Sequence, residues 1–236
     1  MACSVAILVG GMGTRLKGEV GAKPKCLVPV AGAPFIDHML RWLSRSGFTE
    51  LVLLTGHGAE AVALYVGDGH SWGCAVNYSM EPRPLGTAGA VKNAAALLSD
   101  PFLLLNGDTL ASVDLPDLLS CHVSRPGASV TIALARMEDA SDYGSVVLDS
   151  DCRVTAFREK QPGAGLVNAG VYCMSRQVLS GMAPDTRMSV ETELLPRLVS
   201  QYAGVYGFPF DGVFVDIGTP ERLREAQSHP LFHSIR

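Results

Sequence analysis

The chain has 236 residues, of which 47% are hydrophobic and only 18% charged, and its 19 basic and 23 acidic residues give a net charge of −4. This composition excludes a disordered protein and is typical of secondary structure that is buried on both faces. Because binding to nucleic acid regardless of its sequence normally needs a basic excess, we expect no nucleic-acid partner.

The six cysteines are spread along the chain, without a C-x-x-C pair or the spacing of metal ligands. We interpret them as reduced thiols, which predicts a cytoplasmic protein. The apolar start lacks the basic flank and the cleavage pattern of a secretory signal. No segment reaches the ~18 apolar residues of a membrane span, so we expect no membrane partner.

Four short apolar runs in the first half predict strands that are covered on both faces, as in a parallel sheet. Helical patterns lie between most of them, and two are well marked: Pro34 to Ser46, with Pro34 suited to the first helical position and Gly47 to the C-terminal stop, and Ala88 to Leu98. The order predicts a doubly wound α/β sheet whose ligands bind beyond the carboxyl ends of the strands. The four runs are Ser4–Val9, Glu50–Thr55, Cys74–Tyr78 and Phe102–Asn106.

After about Ser124 strand patterns dominate, so we expect the second half to extend the sheet and to build a lid. A helix is predicted over Ser189–Ser200, and Thr219 and Pro220 open the last helix as N-cap and first helical residue. Without a linker or repeat, we expect one domain over 1–236, with halves of about 1–124 and 125–236. The predicted strands are Ser129–Ala135, Gly144–Leu148, Val154–Phe157 and Leu166–Met174.

The first strand ends in a glycine-rich segment that carries an Arg, and a Pro-Lys pair follows seven residues later. Glycines after a buried strand let backbone N–H groups approach a polyanion, so the segment predicts a phosphate-binding loop. The dinucleotide fingerprint fails because Leu16 stands where its third glycine should be, and the P-loop pattern is absent. A turn without function is the remaining alternative. The segment reads Gly10-Gly11-Met12-Gly13-Thr14-Arg15-Leu16, and the pair is Pro24-Lys25.

This pattern resembles the signature of the sugar-1-phosphate nucleotidylyltransferases, which join a nucleoside triphosphate to a sugar 1-phosphate and release pyrophosphate. Further motifs follow in the family's order, most like that of the short guanylyltransferases acting on D-glycero-α-D-manno-heptose 1-phosphate. Mannose-1-phosphate guanylyltransferases and uridylyl- or thymidylyltransferases are less similar alternatives. The motifs are Glu81 to Gly89, Asn106-Gly107-Asp108, Tyr143-Gly144, Glu159-Lys160, Asn168 to Tyr172 and Phe214 to Pro220.

The resemblance implies a three-layer α/β/α Rossmann-like nucleotidyltransferase fold with a mixed, mostly parallel sheet, and it assigns roles to individual residues. The catalytic set would be Arg15, Lys25, Asp108 and Lys160. The nucleotide set would be Gly10, Gly11, Gly13, Thr14, Glu81, Gly86 and Thr87, and the sugar-phosphate set Gly144, Glu159, Lys160 and Asn168. Asp108 and Asp216 would hold Mg²⁺, because carboxylates at strand ends beside a phosphate loop suit an ion that bridges phosphate oxygens.

Glu81 favours guanine, because one carboxylate can accept from both N1–H and the exocyclic amino group, whereas uracil and thymine offer a single N–H. The expected partners are therefore GTP and a sugar 1-phosphate, and the chain is expected to be a monomer or homodimer. Two rivals belong to other classes. One is a nucleotide-sugar-binding regulatory domain without turnover, and the other is a nicotinamide-dependent dehydrogenase, against which Leu16 argues.

Overall fold

The computed structural model describes residues 3–11, 23–160 and 162–234. Its centre is a nine-stranded sheet in which seven strands follow one path in the order β10-β9-β11-β6-β1-β4-β5, while β8 pairs with β11 and with β12. Two ribbons, β2-β3 and β7-β13, complete the described strands. These strands are β1 (Val5–Leu8), β2 (Pro29–Val30), β3 (Ala33–Pro34), β4 (Glu50–Thr55), β5 (Ala75–Met80), β6 (Phe102–Asn106), β7 (Thr109–Ala111), β8 (Val130–Met137), β9 (Ser145–Leu148), β10 (Val154–Arg158), β11 (Gly165–Met174), β12 (Val205–Phe210) and β13 (Phe214–Asp216).

The sheet is mixed and mostly parallel, as expected. Strands β5, β4, β1 and β6 are mutually parallel, and β11 runs antiparallel to β6, β8 and β9. Strand β12 is parallel to β8, and β10 is antiparallel to β9. Strands β10 and β11 therefore run in one direction, and the other strands of this sheet run in the opposite direction. Strand β11 therefore joins the strands of the first half to those of the second.

Helices cover both faces of the sheet, which accounts for the continuous apolar runs. In β1, Val5 and Ile7 contribute to one hydrophobic core and Ala6 to the other. The alternation of side chains along a strand sends neighbours to opposite faces, so both faces need apolar residues. The described α-helices are α1 (Phe35–Arg45), α2 (Ala59–Val66), α3 (Gly86–Asn93), α4 (Leu115–Val123), α5 (Leu195–Ser200), α6 (Pro220–Ala226) and α7 (Leu231–Ser234).

The predicted ends of α1 and α6 are largely confirmed. Gly47 adopts a left-handed backbone (φ 82°) directly after α1, and its N–H donates to the carbonyl of Ser44. Thr219 caps α6 by accepting the N–H of Arg222, with Pro220 in the first turn. The prediction for Pro34 was wrong by one residue, because Pro34 is the N-cap and keeps an extended backbone (ψ 143°).

Two predicted helices differ from the observed ones. Helix α3 begins at Gly86, before the predicted Ala88, and a separate 3₁₀ turn spans Ala95–Leu97. The predicted helix over Ser189–Ser200 consists of a π-helical turn, Val190–Leu194, followed by α5. Pro196 accounts for the change, because it has no N–H to donate to the residue four positions back and its ring crowds that carbonyl. Among the described helices, none is both long and apolar enough to cross a bilayer.

Candidate active site

A cavity of about 590 Å³ lies beyond the carboxyl ends of β1, β4, β5 and β6. Glu81, which follows β5, and Asp108, which follows β6, both line it. These two strands are the outer members of the parallel group, three spacings apart, which corresponds to about 14 Å at ~4.8 Å per spacing. The cavity is therefore long enough to hold a base at one strand end and phosphates at another.

The segment after β1 forms one wall of this cavity. Gly10, Gly11 and Gly56 all line it, and the carbonyl of Gly10 accepts the N–H of His57 at 3.3 Å. A Cβ atom on Gly10 would lie 2.7 Å from the nitrogen of Gly56, so a side chain here would separate the two segments. The other predicted residues of this loop, Gly13, Thr14 and Arg15, lie outside the described residues.

Lys25 and the two predicted metal carboxylates come together at the end of β6. The Lys25 ammonium forms an ion pair with Oδ2 of Asp108. The N–H of Ile217 donates to the carbonyl of Asp108 at 3.0 Å, and Asp216 pairs with Thr109 across the β7-β13 ribbon. A Cβ atom on Gly218 would lie 2.8 Å from Asp216 Oδ1 and 3.6 Å from Lys25 Nζ. Because Lys25 also contacts Asp108, the three charged side chains lie around Gly218 and the end of β6.

Asp216 has two further partners that the sequence did not indicate. Arg222, on α6, donates to Asp216 Oδ2 at 2.8 Å, and the hydroxyl of Tyr143 donates to the same oxygen at 3.3 Å. The Arg222 guanidinium also lies 4.3 Å from the centre of the Tyr143 ring. Burial, followed by the charge of Asp216, raises the pKa of Tyr143 to about 12. Arg222 and Tyr143 thus both hold the carboxylate of Asp216 in place.

The structure describes no group of three or more His, Cys, Asp or Glu side chains that could hold a metal ion without help from a ligand. Two neighbouring carboxylates nevertheless suit Mg²⁺, which is commonly held by one or two carboxylates together with substrate phosphates. The Lys25 ammonium beside Asp108 indicates that this position favours a cation. Asp108 and Asp216 are therefore compatible with an ion that arrives with a phosphate substrate.

Glu81 is half-buried and faces both the cavity and its own loop. Its Oε2 accepts the N–H of Leu85 at 2.9 Å, and Oε1 lies so close to Gly56 that a Cβ there would collide with it. The carboxylate therefore orders the loop that leads into α3. In addition to any contact with a base, Glu81 holds the segment that carries Gly86 and Thr87.

The start of α3 is packed against the segment that precedes α5. Gly86 has a left-handed backbone (φ 72°), and a Cβ there would lie 2.6 Å from the carbonyl oxygen of Met188. That carbonyl accepts the N–H groups of Ala88 and Gly89 at 2.9 and 3.3 Å. The small residues Ala88 and Gly89 thus allow a neighbouring segment of the chain to approach the start of α3 closely.

The predicted sugar-phosphate residues meet at the ends of β9, β10 and β11. Ser145, next to Gly144, pairs with Arg158, which precedes Glu159 and Lys160, and also with Val167, which precedes Asn168. Glu159 and Lys160 are exposed, whereas Asn168 is half-buried. Within the described part of the chain, none of Gly144, Glu159, Lys160 and Asn168 is among the residues lining the 590 Å³ cavity. Asn168 nevertheless lies near it, because its Oδ1 accepts the N–H of Gly170, and a Cβ on Gly170 would lie 2.8 Å from Nδ2 of the cavity residue Asn106.

Several residues of the site were missed by the sequence reasoning. Arg83, Arg187, Glu191 and His57 line the cavity, and Arg222 holds Asp216. Arg187 and Glu191 belong to a segment that resembles an ordinary helix start, and Glu191 contacts Thr87 across 104 positions of sequence. The sequence did contain an indication for Arg222. It follows the predicted N-cap Thr219 by three residues, which places it on the first turn of α6, close to Asp216.

Comparison with known proteins places this architecture in one family. Residues 4–231 match the Nucleotidyl transferase family. A D-glycero-alpha-D-manno-heptose 1-phosphate guanylyltransferase of Aneurinibacillus thermoaerophilus is 36% identical over 231 residues, covering 97% of this chain and 98% of that protein. The mannose-1-phosphate guanylyltransferase of Mycobacterium tuberculosis is also 36% identical, over 91% of this chain but only 61% of that protein.

Solved structures agree with the sequence comparisons. The crystal structure of HddC from Yersinia pseudotuberculosis superposes with a TM-score of 0.85 at 30% identity, covering 95% of this chain and 98% of HddC. HddC has also been solved in complex with GMP-PN, with the same agreement. The matches extend over nearly the whole chain, through both halves of the sheet. The chain therefore belongs to the Nucleotidyl transferase family.

Proposed function

We propose that this chain is a guanylyltransferase that joins GTP to a sugar 1-phosphate and releases pyrophosphate, with D-glycero-α-D-manno-heptose 1-phosphate as the preferred sugar. The observation that carries the proposal is the cavity with Lys25 and Asp108 at the end of β6 and Glu81 at the end of β5. Guanylyltransferase relatives at 36% identity and the HddC complex with GMP-PN support the choice of nucleotide.

The reaction is a substitution at the α-phosphorus of GTP. An oxygen of the sugar phosphate forms the new P–O bond, the bond to the β-phosphate breaks, and pyrophosphate leaves with the electron pair. A phosphate dianion is already a nucleophile, so no side chain is required as a base. The chain has to bring two polyanions together in line and to stabilise the charge on the leaving group.

The cations of the site serve that purpose. Lys25 reaches the position beside Asp108, from which it would bind the β- and γ-phosphates. Arg15 would assist Lys25, and Lys160 would hold the phosphate of the sugar. Asp108 and Asp216 are the residues that would hold Mg²⁺, which when bound would supply neutralisation of phosphate charge.

The remaining roles concern recognition. Glu81 would accept from the N–H groups of guanine, and the first residues of α3, Gly86 and Thr87, would contact the base or the ribose. The glycine segment with Gly10, Gly11, Gly13 and Thr14 would bind the phosphates through backbone N–H groups. At the ends of β9, β10 and β11, Glu159 would accept from sugar hydroxyls beside Gly144 and Asn168. We further propose that the protein works in the cytoplasm, a view supported by its six unpaired cysteines.

The experiment is a pyrophosphate-release assay in which four nucleoside triphosphates are crossed with mannose, glucose and D-glycero-α-D-manno-heptose 1-phosphates in the presence of Mg²⁺. We expect the highest kcat/KM with GTP and the heptose. Preference for mannose 1-phosphate would support the alternative suggested by the mycobacterial relative. Nucleotide-sugar binding without pyrophosphate release from any pair would instead support the regulatory domain.

A further inference from the structure

Tyr143 lies in the loop that leads into β9, and side chains of β13 and α6 hold it there. Its hydroxyl donates to Oδ2 of Asp216 at 3.3 Å, and its ring centre lies 4.3 Å from the Arg222 guanidinium. The ring of Phe214, on β13, meets the Tyr143 ring edge-on, with 5.2 Å between the ring centres. Gly144, the next residue, belongs to the predicted sugar-phosphate set. Tyr143 therefore anchors the loop that carries Gly144.

Arg222 contacts both side chains of this anchor. Its Nη1 donates to Oδ2 of Asp216 at 2.8 Å, while its planar group lies over the Tyr143 ring. A guanidinium suits both contacts, because it forms charge-assisted hydrogen bonds with carboxylates and stacks on aromatic faces. The hydroxyl of Thr219 accepts the backbone N–H of Arg222 at 3.3 Å. This cap orders the helical turn from which Arg222 reaches Asp216 and Tyr143.

The two oxygens of Asp216 face different partners. Oδ2 accepts from both Arg222 and Tyr143, and these two donors occupy the two lone pairs of that oxygen. Oδ1 accepts the N–H of Gly218 at 2.8 Å, on the side that Lys25 approaches. Asp216 can therefore take part in the phosphate and metal site through Oδ1 while Oδ2 keeps its contacts with Arg222 and the loop.

The loop also lies against the segment that carries Glu159 and Lys160. A Cβ on Gly144 would lie 3.1 Å from the carbonyl oxygen of Arg158, so the loop passes close to the end of β10. Strands β9 and β10 pair directly after this point. A shift of the loop would therefore move Gly144 relative to Arg158 and to the two charged residues that follow it.

We propose that Arg222 is a positioning residue that sets the sugar-phosphate site relative to the phosphate and metal site, by holding Asp216 and Tyr143 together. The inference rests on the proposed function, because it takes the loop and the end of β10 to contact the sugar phosphate. Arg222 acts through its two neighbours and touches no reacting atom. Loss of its guanidinium would free the loop at Tyr143 and leave the sugar phosphate a less ordered site.

Hydrogen–deuterium exchange tests this role without turnover. The backbone N–H of Ala140 donates to the carbonyl of Gly163, and that of Tyr143 to the carbonyl of Ala140, each at 2.9 Å. These amides exchange when the loop opens, so they report how firmly it is held. We expect exchange over residues 139–145 to be about tenfold faster in Arg222→Gln than in the wild type, with unchanged exchange in α1.

Arg224→Gln is the matched control, because it removes the same charge from an exposed side chain of the same helix. Its exchange rates and its KM values should match those of the wild type. Arg222→Gln should also raise the KM for the sugar phosphate on the order of tenfold. Wild-type exchange of the loop in Arg222→Gln would overturn the proposal.

Tyr143→Leu shows whether Arg222 acts through Tyr143. It removes the ring and the hydroxyl but leaves the ion pair of Arg222 with Asp216. We expect the KM for the sugar phosphate to rise as in Arg222→Gln. The double variant should be no worse than the more affected single variant, because residues that act as a unit are not additive.

Increases in this KM that multiply in the double variant would overturn the proposal. If Arg222→Gln fails to fold, Tyr143→Leu alone decides, and a wild-type KM together with wild-type exchange of the loop in that variant would overturn it. Absence of transfer by the wild-type protein would instead overturn the proposed function, and the role in binding the sugar phosphate with it, even where the exchange rates change as expected.

Discussion

The carboxylates of the cavity differ in their partners, and this difference separates their proposed roles. Asp108 is paired with the Lys25 ammonium, and the exposed fractions of the two side chains are 36% and 17%. Glu81 contacts the backbone of its own loop, and Glu191 accepts from hydroxyls. A carboxylate beside a cation suits a site for phosphate and metal, whereas one beside N–H and O–H donors suits recognition by hydrogen bonds.

Glu81→Gln tests the choice of base. Oε2 of Glu81 already accepts the N–H of Leu85. In Glu81→Gln, the single side-chain oxygen would keep this contact, and the NH₂ group would face the base, where guanine needs an acceptor and not a donor. We expect the ratio of kcat/KM for GTP to that for UTP to fall about tenfold, the usual discrimination of a two-point contact. Glu60→Gln, an exposed change on α2, serves as the control. An unchanged ratio would remove Glu81 from base recognition.

At the level of elements, the apolar runs predicted the core strands to within about two residues at each end. The agreement follows from burial on both faces of the sheet, because such burial makes nearly every residue of a strand apolar. Strand β12 gave a weaker signal, because it contains Gly207 and Pro209 and pairs with β8 at the border of the sheet. The π-helical turn could not be predicted, since its shape depends on Pro196 and on contacts of Glu191 with the distant Thr87.

The distance of a residue from a strand end determined whether its place in the site could be predicted. Residues next to strand ends, such as Gly10, Glu81 and Asp108, share one cavity because parallel strands end at one edge of the sheet. Arg187 and Glu191 reach that cavity from a segment that no local pattern connects to it. Contacts between elements far apart in sequence depend on packing, which spacing alone does not reveal.

The cluster of Tyr143, Asp216 and Arg222 links α6 to the β7-β13 ribbon and predicts a dependence of stability on alkaline pH. The pKa of Tyr143 is raised from its ordinary value of 10.0 to about 12, chiefly by burial and then by Asp216. Between these values the unfolded chain releases the proton while the folded chain keeps it. The contribution of Tyr143 to stability is therefore complete below pH 10 and is lost as the pH rises toward 12.

Tyr143→Phe removes the phenolic hydroxyl and with it the proton that titrates in this range. We expect its free energy of unfolding to fall less steeply than that of the wild type between pH 10 and 12, as measured by urea denaturation. Tyr202→Phe, which deletes the hydroxyl of a side chain that is 85% exposed, is the control for the loss of a phenol. Parallel curves for the wild type and Tyr143→Phe would refute the assignment.

Across the whole molecule, a net charge of −4 is compatible with a polyanionic substrate because the cations are local. Lys25, Arg83 and Arg187 line one cavity together with the carboxylates of Glu81, Asp108 and Glu191. A small polyphosphate needs a few well-placed cations and a metal ion, whereas an extended polyanion needs a broad basic face. Strand β11 carries Asn168 and pairs with β6, so the residues proposed to bind the sugar phosphate are built onto the sheet whose strands end at the cavity proposed for the nucleotide.

The most direct test of the proposed function is product analysis by mass spectrometry after incubation with GTP, Mg²⁺ and D-glycero-α-D-manno-heptose 1-phosphate. We predict equal amounts of GDP-heptose and pyrophosphate. Asp108→Asn should reduce turnover by about 100-fold or more while the fold is kept, because it removes one charge from the phosphate and metal site. Asp211→Asn, a change at an 88% exposed side chain, should match the wild type. Absence of GDP-sugar from the wild-type reaction, or full activity of Asp108→Asn, would contradict the account.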